Sequence, residues 1–176
     1  MAGRLGEANV DLLDRLLGHD AWTTREILVR CRELSNAQLH QPFDLGHETV
    51  YDTLVHMVGN VRTWTDLMND VPVVRSDSDW EGLSAGDFIA RHDAAYADFA
   101  ELARRIRDEG RLDELWVDRL DDPPAEKTYG GAIAHVITHN MHHRGELLHM
   151  LARLEVSDLP EGDVLGWEAA TRPLPE

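Results

Sequence analysis

Imidazole is concentrated near the end of the chain. Of 10 histidines in 176 residues, five (His135, His139, His142, His143, His149) fall within 15 positions. Imidazole is the commonest side-chain nitrogen ligand for metals, and two of them at i,i+4 on a helix lie on one face a turn apart, near enough to share an ion. His139 and His143 have that spacing, and so do His135 and His139, so periodicity leaves the pair open. Such pairs also arise by chance on surface helices. Two ligands would leave a divalent ion under-coordinated, so a third must come from another element. His56 in TLVHMVGNVRTW is the best candidate: it shares a helical strip with Asn60 and Thr63, off the apolar centre, and so faces solvent or a cleft.

The residues after the His pair strengthen a functional reading. On a helical wheel Ile133, Val136, Ile137, Met141, Leu147, Leu148, Leu151 and Leu154 gather on one side, with His135, His139, His142, Glu146, His149 and Arg153 opposite and His143 on the flank. Arg144 falls near the centre of the apolar side, where a guanidinium is costly unless an acid pairs with it. Gly145 follows, and Gly inside a helix costs about 0.8–1 kcal/mol against Ala. Two locally unfavourable residues beside a His pair suit a site better than a plain packing helix. By contrast His92, on an apolar seam, reads as a hydrogen-bonded core or cleft residue, and Cys31, on another, as a small core residue.

Four long amphipathic segments must position these groups. The first runs from about Asn9 to Leu34, with Val10, Leu13, Leu17, Ala21, Thr24, Leu28 and Cys31 at alternating steps of three and four. The second runs from about Glu48 to Met68, after the breaker-rich stretch Gln41–His47, with Val50, Leu54, Met57, Val58, Val61 and Met68 as its apolar face. The third starts at Ser84, where Ser84 and Asp87 form an approximate capping box, and ends at Gly110. Its seam is Phe88, His92, Ala95, Phe99, Leu102 and Ile106. Residues 111–127 are irregular: Pro123-Pro124 forbids a helix, and Leu115-Trp116-Val117 suits a short extended piece. Thr128 caps the fourth segment, about Tyr129 to Leu154. These elements predict an all-α, antiparallel four-helix bundle with a long third-to-fourth connection. One domain spans 1–176, its core about 9–154, and residues 155–176 read as an irregular tail.

Composition narrows the partners. Lys+Arg 17 against Asp+Glu 33 leaves a net charge of −16, which disfavours nucleic acid and anionic lipid. No apolar run approaches the roughly 20 residues of a membrane span. The N-terminus carries acids where a signal peptide would be apolar, and a single cysteine excludes an internal disulfide framework, so a cytoplasmic setting is expected.

The segment His139–Glu146, HNMHHRGE, after the apolar stretch Ile133–Thr138, resembles the fourth-helix motif of the DinB/YfiT-like superfamily, usually H-x-x-x-H-R-G-Q. Earlier pieces match in order: HDAWTTREIL (His19–Leu28), LSNAQLHQP, TVYDTLVHMVGNVRTW, and Tyr129-Gly130-Gly131. The likeness covers roughly Leu12 to Trp167. It implies a four-helix bundle, often dimeric, with one divalent metal held by three histidines: His56, His139 and His143. His135 and His142 then become neighbours rather than ligands. Glu146 departs from the usual Gln and adds a negative charge a turn below the site.

The resemblance also implies chemistry. Members include thiol S-transferases and isomerases, among them mycothiol-dependent maleylpyruvate isomerase and bacillithiol S-transferase-like proteins. Three neutral ligands leave a metal its full charge and an open position, where a thiol loses its proton and becomes a nucleophile. The expectation is a metal-dependent enzyme that acts on a small molecule and activates a low-molecular-weight thiol, mycothiol or bacillithiol. Zinc is expected first, nickel or iron next. A metal-dependent hydrolase and a non-catalytic bundle with a vestigial metal site are the alternatives. A homodimer is expected from the resemblance and from more apolar residues on the first two segments than one seam requires.

Overall fold

A computed structural model describes residues 10–74 and 76–171. Its long helices begin where short polar side chains can satisfy unpaired backbone N–H groups. Asp11 Oδ1 accepts from Asp14 N at 2.8 Å and starts α1 (Leu12–Cys31). A single turn, α2 (Asn36–Leu39), follows. Thr49 Oγ1 accepts from Asp52 N at 2.9 Å ahead of α3 (Val50–Met68). Ser84 and Asp87 form a reciprocal capping box on α4 (Ala85–Asp108), and Gly110, at φ 70°, turns the chain out of it. Thr128 Oγ1 accepts from Gly131 N at 3.1 Å and opens α5 (Tyr129–Arg153). The expected segments hold to within a few residues; Asn9 lies outside the described residues.

The irregular stretch before α5 contains an antiparallel hairpin, β1 (Leu115–Asp118) with β2 (Ala125–Thr128). Pro123-Pro124 sits in its turn, where a proline withdraws no ladder donor. Lys127 Nζ bonds Asp118 Oδ2 at 2.5 Å and Asp121 Oδ2 at 2.9 Å.

The segment after α5 differs from expectation. Asp163 Oδ1 accepts from Gly166 N at 2.6 Å and starts a further helix, α6 (Val164–Thr171). It lies against α1: the Trp167 ring closes over Gly18, Arg15 pairs with Glu168, and His19 Nε2–H donates to Gly162 O at 3.0 Å. Flanking Pro and Gly obscured it in the sequence.

Each long helix touches two of the others, in the cyclic order α1, α4, α3, α5. Their directions come from the two core clusters. One joins the C-terminal halves of α1 (Ile27, Leu28, Cys31) and α5 (Leu147, Met150, Leu151) to the N-terminal halves of α3 (Val50, Leu54) and α4 (Phe88). The other joins Leu17 and Val136 to Met68 and Ile106, at the opposite ends of the same helices. So α1 and α5 run one way, α3 and α4 the other, and two of the four neighbouring pairs are parallel. That corrects the all-antiparallel expectation. The sequence shows each helix's apolar face but carries no local signal for the direction of a return connection.

At the middle of the α1–α5 contact lies a polar network. Arg144, 2% exposed, pairs with Asp20 Oδ1, and its Nη1 also approaches Thr24 Oγ1 at 3.3 Å. Asp20 Oδ2 accepts from Tyr96 Oη at 2.8 Å and Asn140 Nδ2 at 2.9 Å. The acid that Arg144 demanded is therefore present, on another helix. The inward face of α5 includes Asn140 and Arg144, while Met141, expected on it, is 53% exposed. Because a buried charge without its partner is far costlier than no charge at all, Asp20→Ala or Arg144→Ala should each lose about 3–5 kcal/mol in urea unfolding. The apolar pair Asp20→Leu with Arg144→Met should lose less than either single variant.

Candidate metal centre

The groove between α3 and α5 gathers the imidazoles. His56 Nε2 lies 2.9 Å from His139 Nε2, which lies 3.1 Å from His143 Nε2. His56 and His139 are half-buried and His143 is buried. The structure thus brings together all three histidines named above. His135 stays exposed and stacks on the His139 ring with centroids 5.1 Å apart. His142 is exposed and His149 points to solvent.

Glu146 fixes the orientation of His143. Its carboxylate can only accept, so His143 Nδ1–H donates to Oε2 at 2.7 Å, while His142 Nε2 meets Oε1 at 3.1 Å. With the proton on Nδ1, neutral His143 presents a bare Nε2 lone pair to the cluster. Gly46, at φ 50°, allows the loop before α3 to press on this carboxylate: a Cβ there would lie 2.5 Å from Oε2.

The three Nε2 atoms cannot satisfy one another. With His143 Nε2 bare, a proton on His139 must be shared by two acceptors; a proton on His56 instead leaves the His139 and His143 lone pairs facing each other. An extra proton is disfavoured too. Burial and the neighbouring imidazoles push His56 and His139 down to about 4, and burial, against the pull of Glu146, lowers His143. Neutral imidazole lone pairs suit a divalent cation: ligand atoms of His47, His56 and His143 all lie within 4.8 Å of one another, and His139 Nε2 adjoins those of His56 and His143.

His47 escaped the sequence reading. Its ring stacks on His56 at 4.0 Å and tilts against His143 at 5.2 Å. Nitrogens of His47, His56 and His143 lie within 4.8 Å of one another. It comes from the stretch taken only as a breaker between helices, where no periodicity announces a residue's facing. Gly46 directly before it was the one local signal.

Beside His56 opens a cleft of ≈ 280 Å³, lined among others by Val55, Gly59, Asn60, Thr63 and Trp80. Asn60 Nδ2 is buried with no hydrogen-bond partner among the described residues. Cys31 is buried in the core, which pushes its thiol up to about 12, and supplies no nucleophile. His92, buried with Nδ1 3.3 Å from Asp93 Oδ1, is the core residue expected.

A four-helix bundle with imidazoles from two helices converging in one groove defines a class of helical proteins with a histidine-lined centre. The chain belongs to the DinB family, whose family model matches residues 8–157. No curated protein matches it. No described helix is long and apolar enough to cross a membrane.

The lowered imidazoles carry a pH consequence for the metal-free protein. As pH falls below about 6.5, the unfolded chain takes up protons that folded His56 and His139 refuse until about 4. Stability should be full above pH 6.5 and decline progressively down through pH 4. Urea titrations across that window should show a smaller decline in His56→Ala.

Proposed function

We propose that His56, His139 and His143 hold one divalent ion, zinc before nickel or iron, and that the protein is an enzyme activating a low-molecular-weight thiol, mycothiol or bacillithiol, for attack on a small electrophile. The close approach of His139 Nε2 to both His56 Nε2 and His143 Nε2 carries this reading. When bound, the ion supplies Lewis acidity that lowers the pKa of a thiol or water beside it. The remaining work falls to the chain. Glu146 holds the tautomer and direction of His143. Asn60 lines the cleft beside His56, and its amide Nδ2 is buried without a hydrogen-bond partner among the described residues. With Cys31 buried, the nucleophilic sulfur has to arrive with a cosubstrate. A homodimer and a cytoplasmic setting belong to the same reading; light scattering at micromolar concentration tests the first.

His139→Ala combined with His143→Ala should lose stoichiometric metal, read by elemental analysis, while far-ultraviolet circular dichroism keeps its helical signal. Retention of a full equivalent would refute the assignment. Turnover of an electrophile should then need both metal and added thiol, compared across mycothiol, bacillithiol, glutathione and no thiol, each with and without chelator. Chelator-sensitive turnover indifferent to thiol identifies hydrolysis instead, and metal-loaded protein inert in every arm identifies a binding module.

A further inference from the structure

Four imidazoles, not three, crowd the groove, and the fourth is mounted differently. His56, His139 and His143 project from the middles of two long helices locked into the core. His47 projects from the connection between α2 and α3. Phe43, buried, anchors one side of that connection, and Val50, buried at the start of α3, anchors the other. Between them the backbone passes through two left-handed residues, Gly46 at φ 50° and Glu48 at φ 66°. The second is not a glycine, so the loop keeps a conformation that L residues rarely adopt, and such residues persist where surrounding structure holds them. Phe43 N donates to Glu48 O at 2.6 Å and Glu48 N to Leu45 O at 2.9 Å, which fixes the turn that delivers the His47 ring.

That ring is held lightly once delivered. Among the described residues no hydrogen bond reaches either of its nitrogens; it rests on the His56 ring face and against His143. A nitrogen of the ring nonetheless lies within 4.8 Å of nitrogens on His56 and His143. We propose that His47 is a fourth, displaceable nitrogen donor that closes the centre at rest and withdraws when a thiol arrives. The inference rests on the metal-centre reading above. Closed four-ligand sites are structural and three-ligand sites are reactive; a donor on a loop, without a hydrogen bond of its own, allows one protein to pass between the two. His142 is the natural control, since it is exposed and engaged with Glu146 from the other side.

The test is X-ray absorption at the zinc edge on the zinc-loaded full chain, comparing the unaltered protein with His47→Ala, His47→Gln and His142→Ala. Four imidazole nitrogens are expected in the unaltered protein and in His142→Ala, and three in both His47 variants, with added free imidazole restoring the fourth. Titration with a low-molecular-weight thiol should exchange one nitrogen for one sulfur in the unaltered protein, and add a sulfur without loss of nitrogen in His47→Ala. His47 variants that bind a full equivalent of zinc with the same nitrogen count as the unaltered protein overturn the role of His47 and leave the centre intact. Failure of the unaltered chain to bind zinc, nickel or iron overturns the centre, and His47 with it.

Discussion

Arg144 and Asp20 meet between α5 and α1 almost out of reach of water, and their pairing sets the rotation of α5 about its own axis. A buried guanidinium has few places to go, so once Asp20 is fixed on α1 the azimuth of Arg144 is fixed as well. His143 precedes it by one residue, about 100° around the helix, and His139 lies a turn earlier. Locking Arg144 inward therefore turns His139 and His143 toward α3. Asn140 donates to the same carboxylate from a turn below, so two residues on one strip of α5 report to one acid. The network contributes position more than stability: desolvating the pair costs much of what their attraction returns, and an apolar filling would hold the helices together nearly as well. It would not hold them at one rotation.

Electrostatics in the groove run against those of the molecule. The chain carries −16 overall, yet the cluster's imidazoles are kept neutral by burial and mutual repulsion. An acidic surface raises the local concentration of cations over a distance of about 8 Å at physiological salt, and neutral lone pairs wait at the end of that path. Glu146 makes the bias local. An amide at this position would also accept from His143 Nδ1, but a carboxylate adds charge, and its hydrogen bond is the stronger kind. It pulls against the depression that burial imposes on His143.

Much of this was legible beforehand, because helices and caps are local. Ser84 with Asp87, Thr128 before α5 and the apolar stripe of α3 all carry their meaning within a few residues. Arg144 was legible as a misfit, and a misfit at a core position signals an unseen partner; which acid it was, 124 residues away, no local pattern states. The choice of His143 over His135 came from resemblance, since both spacings are identical. His47 and α6 stayed hidden for a common reason. Each lies in a segment whose glycines and prolines report only that the backbone bends, while the direction it then takes depends on contacts with helices distant in sequence.

Helix direction explains how a cleft comes to lie beside the histidines. Because α3 and α4 are parallel neighbours, residues 69–84 must travel back along the bundle, about 28 Å for a helix of 19 residues. That return path crosses the outer face of α3 and ends near its beginning, where Tyr51 Oη donates to Trp80 O and accepts from Leu83 N at 2.9 Å. Trp80 is thereby set over Gly59, whose missing side chain leaves room for the indole: a Cβ there would lie 3.3 Å from it. The indole and the returning segment (Val73, Val74, Ser76) form one wall of the cleft, and α3 forms the other with His56, Asn60 and Thr63 on successive turns of a single strip. An antiparallel α3–α4 pair joined by a tight turn would leave that strip open to solvent. The long connection that the shared direction of α3 and α4 imposes is what sets a second wall beside His56, and the strip that looked merely polar in the sequence becomes the first.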